Sequence, residues 1–169
     1  IEAHEWRVWD APQTVLPNPS ATDDLGMYLG TFATAGNYVA TSDLKSAGAT
    51  TRYARVMKHL PFEYSATESV QIRMSAGMKT AVADTSCTLN VAAYLVGRDG
   101  TLGSNLYAGA AVTMNSLTAS EKTFSLTAST LLPGSVIDIR IAVVCTDGGG
   151  ASAVIAAIYH SELLVSLRG

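Results

Sequence analysis

The stretch Val70-Gln71-Ile72-Arg73-Met74-Ser75-Ala76-Gly77-Met78-Lys79 alternates without interruption. Val70, Ile72, Met74, Ala76 and Met78 fall on one side, and Gln71, Arg73, Ser75, Gly77 and Lys79 on the other. A period of two sustained over ten residues is the pattern of a β-strand with one buried face. On its C-terminal side, residues 87–96 repeat the pattern through Cys87, Leu89, Val91, Ala93 and Leu95. Gly97-Arg98-Asp99-Gly100 follows, and its Asp-Gly pair favours the positive φ angles of a tight reversal. Leu106, Ala108, Ala110, Val112 and Met114 predict a further strand, and Phe124 and Leu126 a shorter one. In Leu132-Pro133-Gly134 the proline pre-sets φ and the glycine accepts a left-handed position, so a turn is expected. It leads into Ile137, Ile139, Ile141, Val143 and Cys145, with Asp138 and Arg140 facing the other way. Asp147-Gly148-Gly149-Gly150 is the next reversal. Residues 153–167 are mostly apolar on both faces, which predicts a strand central in its sheet or covered by another element. A helical 3.6-residue repeat nowhere persists for ten residues. Six or seven strands with turns between them predict an all-β antiparallel β-sandwich over residues 50–169.

Residues 1–49 have a different texture. Pro12, Pro17 and Pro19 keep residues 11–24 extended or looped, because prolines remove donors and restrict the preceding residue. Short edge strands are expected at residues 27–32 and 38–41. With so few large apolar side chains this segment cannot build its own core. The expectation is a single domain overall: an extended N-terminal arm with short edge strands, then the sandwich.

The chain has 169 residues, of which only 15% are charged, against about 25% in an ordinary globular domain. Ala, Thr and Ser supply the bulk instead. A net charge of −3 and a pI near 5.5 exclude a polybasic footprint for nucleic acid or anionic membrane. Mean hydropathy is +0.23, yet there is no apolar run of eighteen residues, so no helical membrane span is expected. Residues 1–10 are charged and lack the apolar core of a secretory signal. Asn18-Pro19-Ser20 fails as a glycosylation acceptor because proline holds the middle position. Cys87 and Cys145 both sit on the apolar phase of an alternation; two buried free thiols are the favoured reading, and a bridge between facing strands is the alternative.

Chemistry-bearing motifs are sparse. His4, His59 and His160 lack ligand spacing, and no nucleophile elbow, phosphate loop or zinc-protease motif occurs. Asp23-Asp24 and Asp147 are not spaced as a calcium loop. No metal, cofactor or catalytic residue is therefore assigned, and the chain is read as a non-enzyme. Among Glu63, Glu68, Asp138 and Glu162, the last stands out because a carboxylate in an apolar strand needs a partner or a bulge that turns it outward. Asp138 and Arg140, two apart on one face, are expected to pair across the sheet. Sugar binding by a sandwich needs an exposed aromatic platform, for which Trp6, Trp9 and seven tyrosines are available. For the tryptophans, packing of the arm onto its own sandwich is the favoured alternative.

One resemblance runs through Arg52-Tyr53-Ala54-Arg55, Leu60-Pro61, Tyr64 and Val70-Gln71-Ile72-Arg73. It continues through Cys87-Thr88-Leu89-Asn90-Val91, Tyr94, Gly103-Ser104-Asn105-Leu106, Leu132-Pro133-Gly134, Ile137-Asp138-Ile139-Arg140 and Glu162-Leu163-Leu164-Val165. In these strand and turn patterns the chain resembles the small jelly-roll structural proteins of tailed bacteriophages, including capsid decoration (cement) proteins. The resemblance implies a jelly-roll topology for the sandwich, and a homotrimer on the outer surface of a virion that binds the major capsid protein and stabilises the shell. Trp6, Trp9, Leu16, Leu25 and Tyr28 in the arm are then the candidate assembly interface. Low charge fits such a setting, since small uncharged residues lose little side-chain entropy when covered. The alternatives are a self-assembling capsid or fibre subunit and a carbohydrate-binding jelly-roll module.

Overall fold

The computed structural model describes residues 1–31, 34–45, 48–66, 68–150 and 152–168. Ten strands follow a short 3-10 turn at Ala3–Glu5: β1 Gly26–Tyr28, β2 Tyr38–Ala40, β3 Gly48–His59, β4 Val70–Met78 and β5 Ser86–Val96, then β6 Leu102–Asn105, β7 Val112–Thr113, β8 Ser120–Leu126, β9 Val136–Asp147 and β10 Ala156–Val165. They form two antiparallel sheets. Sheet 1 has the order β1-β2-β10-β4-β8, and sheet 2 the order β3-β9-β5-β6, with β7 also paired to β5. The fold is the expected jelly-roll β-sandwich.

The long alternating segments set the register. β9 pairs with β3 from Gly48↔Asp147 to His59↔Val136, and with β5 from Ser86↔Thr146 to Val96↔Val136. The inward phase supplies Leu89, Val91, Ile137, Ile139, Ile141 and Val143, which meet Ile72, Met74 and Phe124 of sheet 1 in a common core. β10 is central, between β2 and β4, as its two-sided apolar sequence requires.

Three expectations need correction. Cys87 and Cys145 are not free thiols but are disulfide-bonded. Both lie on the inward phase and the β5–β9 register sets them directly opposite, so the bridge joins neighbouring strands of one sheet. Residues 106–114 do not form one strand. Leu106 and Met114 are buried anchors, while the segment between them loops out and only Val112–Thr113 pairs. The small residues around Gly109 have little to bury, and the Tyr107 ring folds over Gly109, where a Cβ would lie 2.2 Å from its hydroxyl. Last, the expected first edge strand shortens to Gly26–Tyr28, and its end at Phe32 lies outside the described residues.

Residues 1–25 are folded onto the sandwich. Trp6, Leu16 and Leu25 belong to the core. Trp6 Nε1 donates to Ser161 Oγ on β10 at 3.3 Å, which fixes the arm to sheet 1. Arg7 exchanges backbone hydrogen bonds with Arg55, and Leu25 and Asp23 bond to Tyr53, which ties the arm to β3 of sheet 2. The arm thus covers the free edge of β3, which would otherwise be a template for pairing. The accessible surface of 8413 Å² is near the roughly 8,000 Å² of a compact monomer, as befits an arm that lies down. Among the described residues, no helix is long and apolar enough to cross a membrane.

Candidate functional site

The outward phase of sheet 2 forms a grid that follows from the register. Tyr53, Ala142 and Asn90 share one row, Arg55, Arg140 and Ala92 the next, and Met57, Asp138 and Tyr94 the third. The centre of this face is small, at Ala92 and Ala142. It becomes a depression of about 160 Å³ because the arm brings Trp9 over it. Trp9 and Tyr53 lie with ring centroids 5.5 Å apart and planes 32° apart. The Arg140 guanidinium carbon sits 5.2 Å from the Trp9 ring centroid and 4.9 Å from that of Tyr94. Cation and ring faces attract at such distances, so the three side chains hold one another in place.

A buried ion network fixes Arg140. Asp138 has no accessible surface. It receives Arg55 Nε at 3.2 Å and Nη2 at 2.6 Å on its two oxygens, and Arg140 Nε at 2.9 Å and Nη2 at 2.8 Å. Two guanidiniums on one carboxylate leave a net positive charge beneath the aromatic rings. The expected pairing across the sheet is therefore present, with Arg55 as the partner from β3. Trp9 is further held by its backbone amide, which donates to Asp24 Oδ1 at 3.5 Å. Burial pushes the Asp24 carboxyl up, the Trp9 N–H pulls the other way, and Asp23 and Asp10 add to the rise.

The arrangement has the parts of a site for a hydroxyl-rich ligand with apolar faces. Three partly exposed aromatic rings offer flat surfaces, and Arg140 and the exposed Asn90 offer hydrogen bonds of fixed direction. Of the five arm residues read as an interface, only Trp9 and Tyr28 keep accessible side chains. Trp6, Leu16 and Leu25 are at most 3% exposed and present no surface to a partner. Trp9 is in the groove and Tyr28 is on the far side of the sandwich, in sheet 1. Tyr53, Tyr94, Asn90 and Arg140 were not singled out as site residues from the sequence. The available signal was their common position on the outward phase of the strands flanking Ile141.

Other candidate groups resolve into structural roles. Glu162 pairs with Arg73 across β10 and β4 and lies 3.8 Å from His160. Its carboxyl is held below the usual range, first by the Arg73 hydrogen bond. A bulge between Ile158 and His160 sets the phase that turns it outward. Asp147 accepts from the Asp84 and Gly149 amides, and those bonds, Asp84's foremost, lower its carboxyl. His4, His59 and His160 are exposed. Among the described residues, no group of three His, Cys, Asp or Glu side chains is placed to hold a metal.

No protein-family model matches the chain, and no curated protein matches it. Solved structures share its fold at low identity. TmCBM61 in complex with β-1,4-galactotriose aligns over 98% of this chain and 91% of its own, with a TM-score of 0.51 and 10% identity. A carbohydrate-binding module specific for non-crystalline cellulose, CBM28, aligns over 96% and 89%, with a TM-score of 0.50 and 8% identity. The structure of infectious bursal disease virus Gt strain aligns over 90% of this chain and 35% of its own, at 0.41 and 20%. The likeness to the two carbohydrate-binding modules is one of fold and agrees with a jelly-roll sandwich. Of the resemblance to phage structural proteins, the jelly-roll sandwich is present, and no sequence family of that kind matches.

Proposed function

We propose that this chain is a non-catalytic carbohydrate-binding module that takes a polysaccharide chain on the outer face of sheet 2. The observation that carries the reading is the cluster of Trp9, Tyr53 and Tyr94 around Arg140 over an alanine floor. Pyranose rings have apolar C–H faces that cover aromatic rings and equatorial hydroxyls that the Arg140 N–H groups not directed at Asp138 can engage. The groove is pre-formed, since Arg140 is locked by Asp138 before any ligand arrives, and this lowers the ordering cost of binding. The ligands of the two modules of similar fold make soluble β-1,4-linked galactan and cellulose oligomers the first to test.

Isothermal titration with these oligomers, preceded by a glycan array, is the test. Trp9→Ala is expected to weaken binding by about tenfold or more, as for a central aromatic anchor. Unchanged affinity in a folded Trp9→Ala variant would remove the groove from consideration.

A second reading keeps the chain as a virion structural subunit, a homotrimer binding the major capsid protein at the outer surface of a capsid, or a self-assembling relative of one. It is favoured by the low charge and by Leu29, Phe62, Leu117 and Leu132, each more than half exposed. Sedimentation separates the two: a stable trimer that binds capsids supports this reading, and a monomer that binds neither itself nor capsids removes it.

A further inference from the structure

The outer face of sheet 1 carries a second aromatic surface that shares no residue with the groove. Tyr28 on β1, Tyr38 on β2 and Tyr159 on β10 stand on three adjacent strands. Tyr28 and Tyr38 are register partners, with rings stacked at 5.5 Å and only 6° between their planes. Tyr159 continues the row 5.7 Å beyond Tyr38. The β10 bulge allows this, because the β4 register skips Tyr159 between Ile158 and His160. Tyr159 is consequently 41% exposed on a strand whose preceding three residues are buried. Ala40 and Ala157, opposite each other on the same outward phase, are both buried. Two ring hydroxyls are tied down: Tyr28 donates to Thr41 O at 3.2 Å, and Tyr38 accepts from Lys79.

Lys79 gives the strip its sign. Its ammonium lies 4.7 Å from the Tyr38 ring centroid and 5.9 Å from that of Tyr28. It is exposed and makes no ion pair with a carboxylate among the described residues. Glu162, on the same outer face, is engaged by Arg73 and His160. A row of tyrosine rings, the outermost tilted by 39° and 41% exposed, beside a cation with no carboxylate partner suits a ligand with apolar ring faces and negative charge. A nucleic acid strand also fits that description, but its binding draws on a basic channel that tracks the phosphates, and one lysine on a chain of net charge −3 does not supply one.

We propose that the Tyr28–Tyr38–Tyr159 strip is a second ligand site, one that takes acidic polysaccharide of the uronic acid class. It does not depend on the groove of sheet 2, and with that groove it would make the module bivalent, with sites on opposite faces.

The experiment titrates the whole chain with an oligogalacturonate and, separately, with its neutral methyl ester. The free acid is expected to bind, and Tyr159→Ala to weaken it about tenfold. Lys79→Gln should remove the preference for the acid over the ester, while Trp9→Ala leaves binding unchanged. Tyr159 lies outside the core, so its truncation leaves a folded protein, checked by circular dichroism. The proposal is overturned if the folded wild-type chain does not bind the acid, if the ester binds equally well, or if Trp9→Ala abolishes binding and Tyr159→Ala does not. It is also overturned if the chain dimerises and Tyr159→Ala makes it monomeric, since the row is then a contact between copies. A failed groove reading would appear instead as loss of neutral-oligomer binding, with the acid arm intact.

Discussion

The two outer faces of the sandwich display aromatic side chains by different means. On sheet 2 the rings stand around a depression with an alanine floor, Arg140 in it is fixed by a buried carboxylate, and one wall, Trp9, is borrowed from the arm. On sheet 1 the rings lie in a row on the short β1 and β2 and on β10, held by stacking, two hydroxyl contacts and one lysine. Sheet 2 is also the only one of the two with a covalent cross-link among the described residues. The first face is therefore rigid because its polar groups are buried and mutually dependent. The second is held by contacts that are each weak and open to water. Rigidity on one face comes with a large penalty for any single deletion, whereas the other tolerates loss piecemeal.

Asp138→Ala is the severest challenge to that contrast. It leaves Arg55 and Arg140, whose side chains are 16% and 22% exposed, without their counter-ion. Loss of one partner from a buried charge network costs about 3–5 kcal/mol, measured by chemical denaturation. A loss under about 1 kcal/mol would mean that the network is solvated and Arg140 not fixed. Next comes removal of the cross-link with Cys87→Ala and Cys145→Ala together. The bridge spans 58 residues, for which restriction of the unfolded chain predicts a loss of about 4 kcal/mol, lowered by any structure the unfolded chain retains. Binding to the tyrosine row should survive in the fraction that stays folded.

On the other face the effects shrink. Tyr28→Phe deletes a half-buried hydroxyl bond to Thr41 and should cost about 0.5–1.5 kcal/mol while keeping the stacked ring. A loss of several kcal/mol would show that sheet 1 also depends on single contacts. Smallest is Arg73→Gln. The Glu162 carboxyl is depressed chiefly by Arg73, so the pair stabilises the fold above the unfolded carboxylate's range. That contribution is lost as pH falls through the lowered folded value. The variant should be slightly less stable than the parent at pH 7, and the gap should close below about pH 4. A gap that widened in acid would reverse the assignment.

The legibility of these faces in the sequence follows the length of the strands beneath them. β4, β5 and β9 announce themselves through long alternation, and the same alternation marks Asp138 and Arg140 as outward. β1 and β2 have three residues each, too few for a period of two to rise above chance, so the tyrosine row is invisible until pairing is known. Trp9, Tyr53 and Tyr94 are far apart along the chain, and only the β3–β9–β5 register and the docked arm bring them together. Free thiols are favoured over the disulfide at the level of sequence because inward phase alone does not say which strands are neighbours. The loop at residues 106–114 misled because alanines on one phase imitate a buried face without the area to drive burial.

The arm's two-sided attachment has a further consequence. Trp9 rides on a segment joined to β3 by few backbone bonds, while Tyr53 and Tyr94 are integral to the sheet. A ligand lying across all three adds its binding free energy to the docking of the arm. On the proposed binding role, occupancy and edge closure become linked equilibria: the amides of Arg7 and Arg55 exchange with solvent less often, and the free edge of β3 is better guarded, when the groove is filled.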